Sequence, residues 1–143
     1  MKKSAFTLME LIVVIFIIGI ISGAVTVSYK VIREKSRDAR RLSDLAQVQN
    51  ALELYFRDEG SYPNSLTPGQ SLVGTTTGIS YLTTIPENPR PRNDGNCPDN
   101  EYSYTLNGQT TYTINFCLGH NTDSLNTGSH CATPRGIENQ ACQ

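Results

Sequence analysis

The sequence predicts an α+β fold: a long N-terminal helix packed on a small antiparallel β-sheet with a disulfide-pinned C-terminal tail. Three observations carry that reading. Apolar residues run without a charge from Leu11 to Tyr29 and then recur at helical spacing as far as Tyr55, with no proline between Phe6 and Phe56. An Asn107-Gly108 turn signal lies between two alternating stretches, Glu101 to Leu106 and Thr110 to Leu118. All four cysteines, Cys97, Cys117, Cys131 and Cys142, fall in the last third of the chain.

The chain has 143 residues, which is room for one compact unit and an appendage and excludes an enzyme with separate cofactor and substrate lobes. A net charge of −1 removes the electrostatic case for a dedicated nucleic-acid binder. Charge is unevenly placed, however. Lys2 and Lys3 precede the apolar run, Lys30 to Asp44 holds six bases against three acids, and Arg57 to Gln143 holds four against eight. A basic start followed by an apolar run suits insertion into an anionic membrane, with the acidic C-terminal part on the far side. Cysteines without a C-x-x-C pair agree with an oxidising, extracytoplasmic destination.

The uncharged run of 19 residues would span about 28 Å as a helix at ~1.5 Å per residue, close to the ~30 Å hydrocarbon layer of a bilayer. A secretory signal peptide cut after Ser22-Gly23-Ala24, or a plain uncleaved anchor, would have the same outline. Neither has a use for Glu10, a carboxylate at the mouth of the apolar run that asks for a counter-charge.

Lys2-Lys3-Ser4-Ala5 followed by Phe6-Thr7-Leu8-Met9-Glu10-Leu11-Ile12-Val13-Val14 resembles the prepilin leader and N-terminus of type IV pilins and type II secretion pseudopilins. The resemblance implies a leader over 1–5, cleavage by a prepilin peptidase between Ala5 and Phe6, and N-methylation of the new Phe6 amine. It implies a membrane and assembly helix over 6–29, in which Glu10 pairs with the Phe6 amine of a neighbouring subunit inside an apolar bundle. The chain departs from the family at two points: Ala5 stands where Gly is usual, and the membrane helix lacks the proline many pilins carry, leaving Gly19 and Gly23 as its loosening points. These two glycines also form a small-x-x-x-small pair that permits close helix approach.

From Lys30 the helix continues as an amphipathic segment over 30–60, with Ile32, Ala39, Leu42, Leu45, Val48, Leu52 and Tyr55 on one face. Glu34 with Arg37, and Arg40 and Arg41 with Asp44, read as pairs on a solvated face. Gly60 supplies the stop and Pro63 prevents a restart. The stretch Gly60-Ser61-Tyr62-Pro63 is similar to the Gly-x-Tyr-Pro helix exit of the same family.

The globular part, 61–143, has only 23 apolar residues in 83, so it must borrow the helix face and use disulfides. A two-residue Asn-Gly turn would set Tyr102, Tyr104 and Leu106 on the face opposite Tyr112, Ile114 and Phe116. A three-residue loop or a bulge unites them, and burial favours that solution. Tyr81 to Ile85 is a weaker strand. Four cysteines permit three pairings, of which Cys97 with Cys117 and Cys131 with Cys142 are favoured because they tie the loop before the hairpin and close the Gly- and Asn-rich tail.

No phosphate loop, metalloprotease helix or nucleophile elbow is present, and His120 and His130 read as surface residues of a polar tail. The expectation is a non-enzyme with no catalytic residue and no cofactor, save a candidate calcium site at Asp94, Asp99 and Glu101 like that of the major pseudopilins. The function expected is a structural subunit of a type IV pilus-like helical filament, a homo-oligomer serving adhesion, motility or DNA uptake. The alternatives are a major pseudopilin of a type II secretion system and, more distantly, a monomeric membrane-anchored extracytoplasmic binding domain. Expected partners are the prepilin peptidase, the membrane platform of the assembly machinery and membrane lipid before assembly. Nucleic acid joins them only in a competence pilus, through Arg33, Arg37, Arg40 and Arg41. The expected location is a single-pass membrane precursor that becomes an extracytoplasmic or cell-surface filament.

Overall fold

The computed structural model describes residues 6–122 and 124–142, and over 24–28 the backbone alone. Helix α1 spans Leu8–Glu59, 52 residues. Six short strands follow: β1 (Leu72–Val73), β2 (Ser80–Leu82), β3 (Ser103–Leu106), β4 (Tyr112–Leu118), β5 (Gly128–Thr133) and β6 (Gly136–Glu138). The chain divides into two compact units, Met1–Arg33 and Glu34–Gln143.

The first unit is the start of α1. Thr7 caps it: its carbonyl accepts the first helical bond from the Leu11 N–H at 3.3 Å. From Phe6 to Ile21 the large apolar side chains are all exposed, between 43% at Val14 and 76% at Phe6 and Leu8. Among the described residues no helix is long and apolar enough to cross a membrane. The uncharged run from Leu11 to Tyr29 takes in residues 24–28, whose side chains lie outside the described set.

The second unit is built on the remainder of α1. Its buried stripe is Asp38, Arg41, Leu45, Val48, Leu52 and Tyr55, a strict three-four alternation. The apolar positions expected to extend that stripe upward do not do so. Ile32 is 62% exposed and Ala39 is exposed, and the stripe's upper end is occupied by an acid and a base instead. The helix ends where Gly60 adopts φ +78° and donates its N–H to the Phe56 carbonyl at 2.9 Å, a conformation closed to most side chains.

Strands β3-β4-β5-β6 form one antiparallel sheet in that order, and β1-β2 form a separate ribbon. The hairpin register pairs Tyr104 with Ile114 and Leu106 with Tyr112, so the aromatic and aliphatic residues of both strands share a face. The Asn107 N–H reaches the Thr111 carbonyl at 2.9 Å, which leaves Gly108-Gln109-Thr110 as a three-residue loop. That face covers Leu45, Val48, Leu52 and Tyr55, with Tyr62 edge-on to Tyr112 at 4.8 Å and stacked on Phe56 at 4.6 Å. Burial holds the Tyr104 phenol well above its ordinary value, so it remains a donor, here to the Pro63 carbonyl at 2.7 Å.

The tail beyond β4 is more ordered than a pinned loop. Residues 128–138 form β5 and β6, with β5 lying between β4 and β6 inside the sheet. One consequence corrects the reading of His130 as a surface residue: it faces inward on β5 and is 1% exposed, with Nε2 2.7 Å from the Asn126 carbonyl oxygen. The region between Leu82 and Ile85, read as strand, leaves the ribbon after Leu82.

Candidate functional site

The N-terminal turn of α1 is a reciprocal cap. Thr7 Oγ1 accepts the Glu10 N–H at 3.2 Å, and Glu10 Oε2 accepts the Thr7 N–H at 3.4 Å. Two otherwise unsatisfied donors at the positive end of the helix are thereby used. Glu10 therefore accepts a hydrogen bond within its own chain, from an uncharged N–H that supplies no counter-charge. The sequence carries the signal: Thr-x-x-Glu at the start of an apolar run is the pattern of a capping box, and it identifies Thr7 as a residue of this site.

Ala5 and the rest of the leader lie outside the described residues. Phe6 precedes the cap and is 76% exposed. At Gly19 and Gly23, apart from the helix's own adjacent backbone, no described atom lies within 4 Å of where a Cβ would stand. At Gly19 the missing side chain leaves a shallow notch lined by Ile12, Ile15, Phe16 and Ile20. What this surface offers is an apolar helix, open on all sides, with one capped carboxylate at its mouth.

In the second unit the predicted residues are gathered into a structural lock. Arg41 is fully buried. Its guanidinium meets Asp38 Oδ1 at 2.6 Å, Asn88 Oδ1 at 2.8 Å and Asp94 Oδ2 at 3.0 Å, and reaches the carbonyl oxygens of Arg92 at 3.3 Å and Pro91 at 3.4 Å. Arg37 holds Asp94 in a bidentate pair at 2.5 and 2.7 Å. Burial pushes the Asp94 carboxyl upward, but the bonds and charges of Arg37 and Arg41 outweigh it and hold the group below the usual carboxylate range. Asp38 also accepts the N–H groups of Gly119 and His120 at 3.1 and 2.9 Å. Two arginines expected on a solvated face, and weighed as contacts to DNA, are thus turned inward.

The candidate calcium ligands are not brought together. Asp94 is taken up by the two arginines, Glu101 pairs with Arg92 and accepts the Asn88 N–H at 2.9 Å, and Asp99 lies 3.9 Å from Arg92 and is largely exposed. Among the described residues no group of three His, Cys, Asp or Glu side chains is placed to hold a metal ion. The physical reason is that arginine cations already occupy the carboxylates.

Cys97 is bonded to Cys117 and Cys131 to Cys142. The first bridge fastens the loop carrying Asp94 to β4. The second fastens β5 to the chain end, where the Cys142 N–H also donates to Asn115 Oδ1 at 2.9 Å.

A family model described as the prokaryotic N-terminal methylation motif matches residues 1–26. The chain is similar to type II secretion system core protein G of Vibrio cholerae, with 34% identity over 92 residues, 64% of this chain and 56% of that protein. It is also similar to the core protein G of Aeromonas hydrophila, with 30% identity over 97 residues, 62% of this chain and 68% of that protein. Against the core protein G of Escherichia coli the identity is 36% over 76 residues, 53% and 52% of the two chains. The match thus spans between about half and two thirds of these curated relatives' length. No solved structure matches the chain.

Proposed function

Because the chain belongs to the family of type IV pilins and type II secretion pseudopilins, we propose that it is a non-catalytic filament subunit, and specifically a core pseudopilin of a type II secretion system. The observation that carries this is the open apolar helix of Phe6 to Ile21 with the capped Glu10 at its mouth. The relatives' names favour the secretion pseudopilus over the surface pilus first expected.

Assembly follows from the chemistry of that segment. Before assembly the apolar surface is buried in lipid, and Glu10 is satisfied by the N–H of Thr7. Removal of the leader between Ala5 and Phe6 creates a cationic amine one residue upstream of the cap. In the filament the apolar helices pack on one another, and Glu10 exchanges a neutral N–H partner for the Phe6 amine of an adjacent subunit. The exchange replaces a bond between a charge and a dipole with an ion pair, which cancels two charges inside the apolar bundle. The proteins implied beside it are the prepilin peptidase and the membrane platform of the machinery.

The test is to produce the chain with a prepilin peptidase and a secretion assembly system, then determine its first residue by mass spectrometry and image sheared cells. The reading expects N-methylated Phe6 and short filaments containing this chain. A mature terminus at Val25, or an intact Met1 with no filaments, would refute it.

A further inference from the structure

The apolar run ends in a built polar feature that the assembly reading does not use. The Arg33 guanidinium carbon stands 4.3 Å from the centroid of the Tyr29 ring, and its Nη2 donates to the Tyr29 hydroxyl at 2.6 Å. Tyr29 is 53% exposed and Arg33 is exposed, so the pair is presented outward. Lys30 and Lys35 flank it against a single acid, Glu34. Farther along the chain Arg37 and Arg41 turn inward to Asp94. From Glu10 to Tyr29 and Arg33 the helix rises about 28 and 34 Å at ~1.5 Å per residue, which brackets the ~30 Å hydrocarbon layer.

We propose that Tyr29 and Arg33 form a headgroup collar that binds the phosphate of anionic phospholipids in the leaflet at the C-terminal end of the apolar run, setting the depth of the subunit before assembly. The inference rests on the membrane-inserted stage of the function proposed above. Three features fit a phospholipid. The tyrosine supplies an amphipathic ring at the depth where such rings sit. The guanidinium presents planar donors matched to a phosphate. The excess of cations within six residues gives the patch the sign that an anionic surface attracts. By accepting from Nη2, the Tyr29 hydroxyl fixes the guanidinium's orientation, so the collar is preorganised rather than a loose charge.

The experiment uses the full chain reconstituted in bilayers of equal phosphatidylcholine and phosphatidylglycerol. After detergent release, native mass spectrometry counts the lipids that stay bound. Protease protection of the apolar run is read in parallel. The wild type should retain phosphatidylglycerol in excess, and Arg33→Gln should lower that excess about fivefold, the size expected of one basic residue at an anionic interface. Tyr29→Leu should give a smaller loss, Arg57→Gln none, and the excess should shrink at high salt. Equal lipid ratios for wild type and Arg33→Gln with the apolar run protected would overturn the collar and leave the assembly reading standing. So would unchanged lipid ratios with filaments lost in Arg33→Gln, since the partner would then be protein. An unprotected apolar run would sink the membrane stage and the collar together.

Discussion

Arg41 Nη2 lies 3.0 Å from Asp94 Oδ2, with the two side chains 0% and 3% exposed, and this ion pair joins α1 to the loop that precedes the hairpin. Around it the guanidinium is ringed by oxygen atoms of Asp38, Asn88, Pro91 and Arg92. A buried cation so surrounded is satisfied; Asp38 takes its guanidinium from Arg41, and Asp94 shares Arg41 with Arg37. Arg41→Met should therefore leave Asp38 without its guanidinium and Asp94 with Arg37 alone, and lower stability by about 3–5 kcal/mol, read from urea unfolding of the chain. Arg40→Met, on the exposed face, should stay within about 0.5 kcal/mol of wild type.

Acid should dissolve the same lock. Asp94 has a folded pKa below its ordinary value, so the folded chain binds fewer protons there than the unfolded chain. Its contribution is complete above the usual carboxylate range and is lost as pH falls through the lowered folded value. Glu59 behaves alike: hydroxyl and N–H donors of Thr77, with the N–H of Thr76, bring it to about 2. Thermal midpoints measured from pH 7 downward should fall below about pH 4, and the drop should be shallower in Asp94→Asn, which starts from a lower midpoint.

Much of this architecture is legible in the sequence, and the exceptions share a cause. Leu45, Val48, Leu52 and Tyr55 announce the helix face because apolar periodicity is a local signal. The hairpin face could be chosen from burial alone. Arg37, Asp38 and Arg41 could not be read correctly, because their partners Asp94 and Gly119 are remote in sequence. Spacing of three and four suggested partners on the helix itself, and nothing local tells a solvated pair from a buried one. Strands β5 and β6 escaped for the same reason. Gly128-Ser129-His130-Cys131 has weak strand propensity, and its place between β4 and β6 is set by the sheet. At the N-terminus the omission was different, since the Thr7–Glu10 cap is a short-range pattern.

Close packing behind the lock leaves no room at Gly119. A Cβ there would stand 2.6 Å from Asp94 Cβ and 2.9 Å from the Asp94 carbonyl carbon. Gly119→Ala should push the Asp94 loop off β4 and cost about 1–3 kcal/mol, as overpacking does. Gly108→Ala, at a hairpin tip with open space around it, should cost about 1 kcal/mol through its φ of +81° alone. Paired urea titrations give both numbers.

Each disulfide should stabilise the domain by about 3 kcal/mol, chiefly by restricting the unfolded chain across loops of this length. Alkylation of the oxidised protein without reductant should label no cysteine, and Cys97→Ser with Cys117→Ser should lower the urea midpoint and steepen the slope, because the unlinked denatured chain exposes more surface. Two or more reactive thiols in the secreted form would contradict the oxidising destination.

The central claim is that Glu10 serves first as a helix cap and then as the charge partner of a neighbour's amine. Glutamine separates the two roles, because it fills the same capping position without carrying charge. The decisive measurement is electron microscopy of sheared filaments from cells making wild type, Glu10→Gln and Glu10→Ala, with membrane fractionation beside it. The account predicts that all three insert in the membrane and that filaments are lost in both variants, since each leaves a neighbouring amine unpaired in an apolar bundle at a cost of about 3–5 kcal/mol per subunit. Normal filaments from Glu10→Gln would show that the cap alone suffices and would contradict the charge-pairing account.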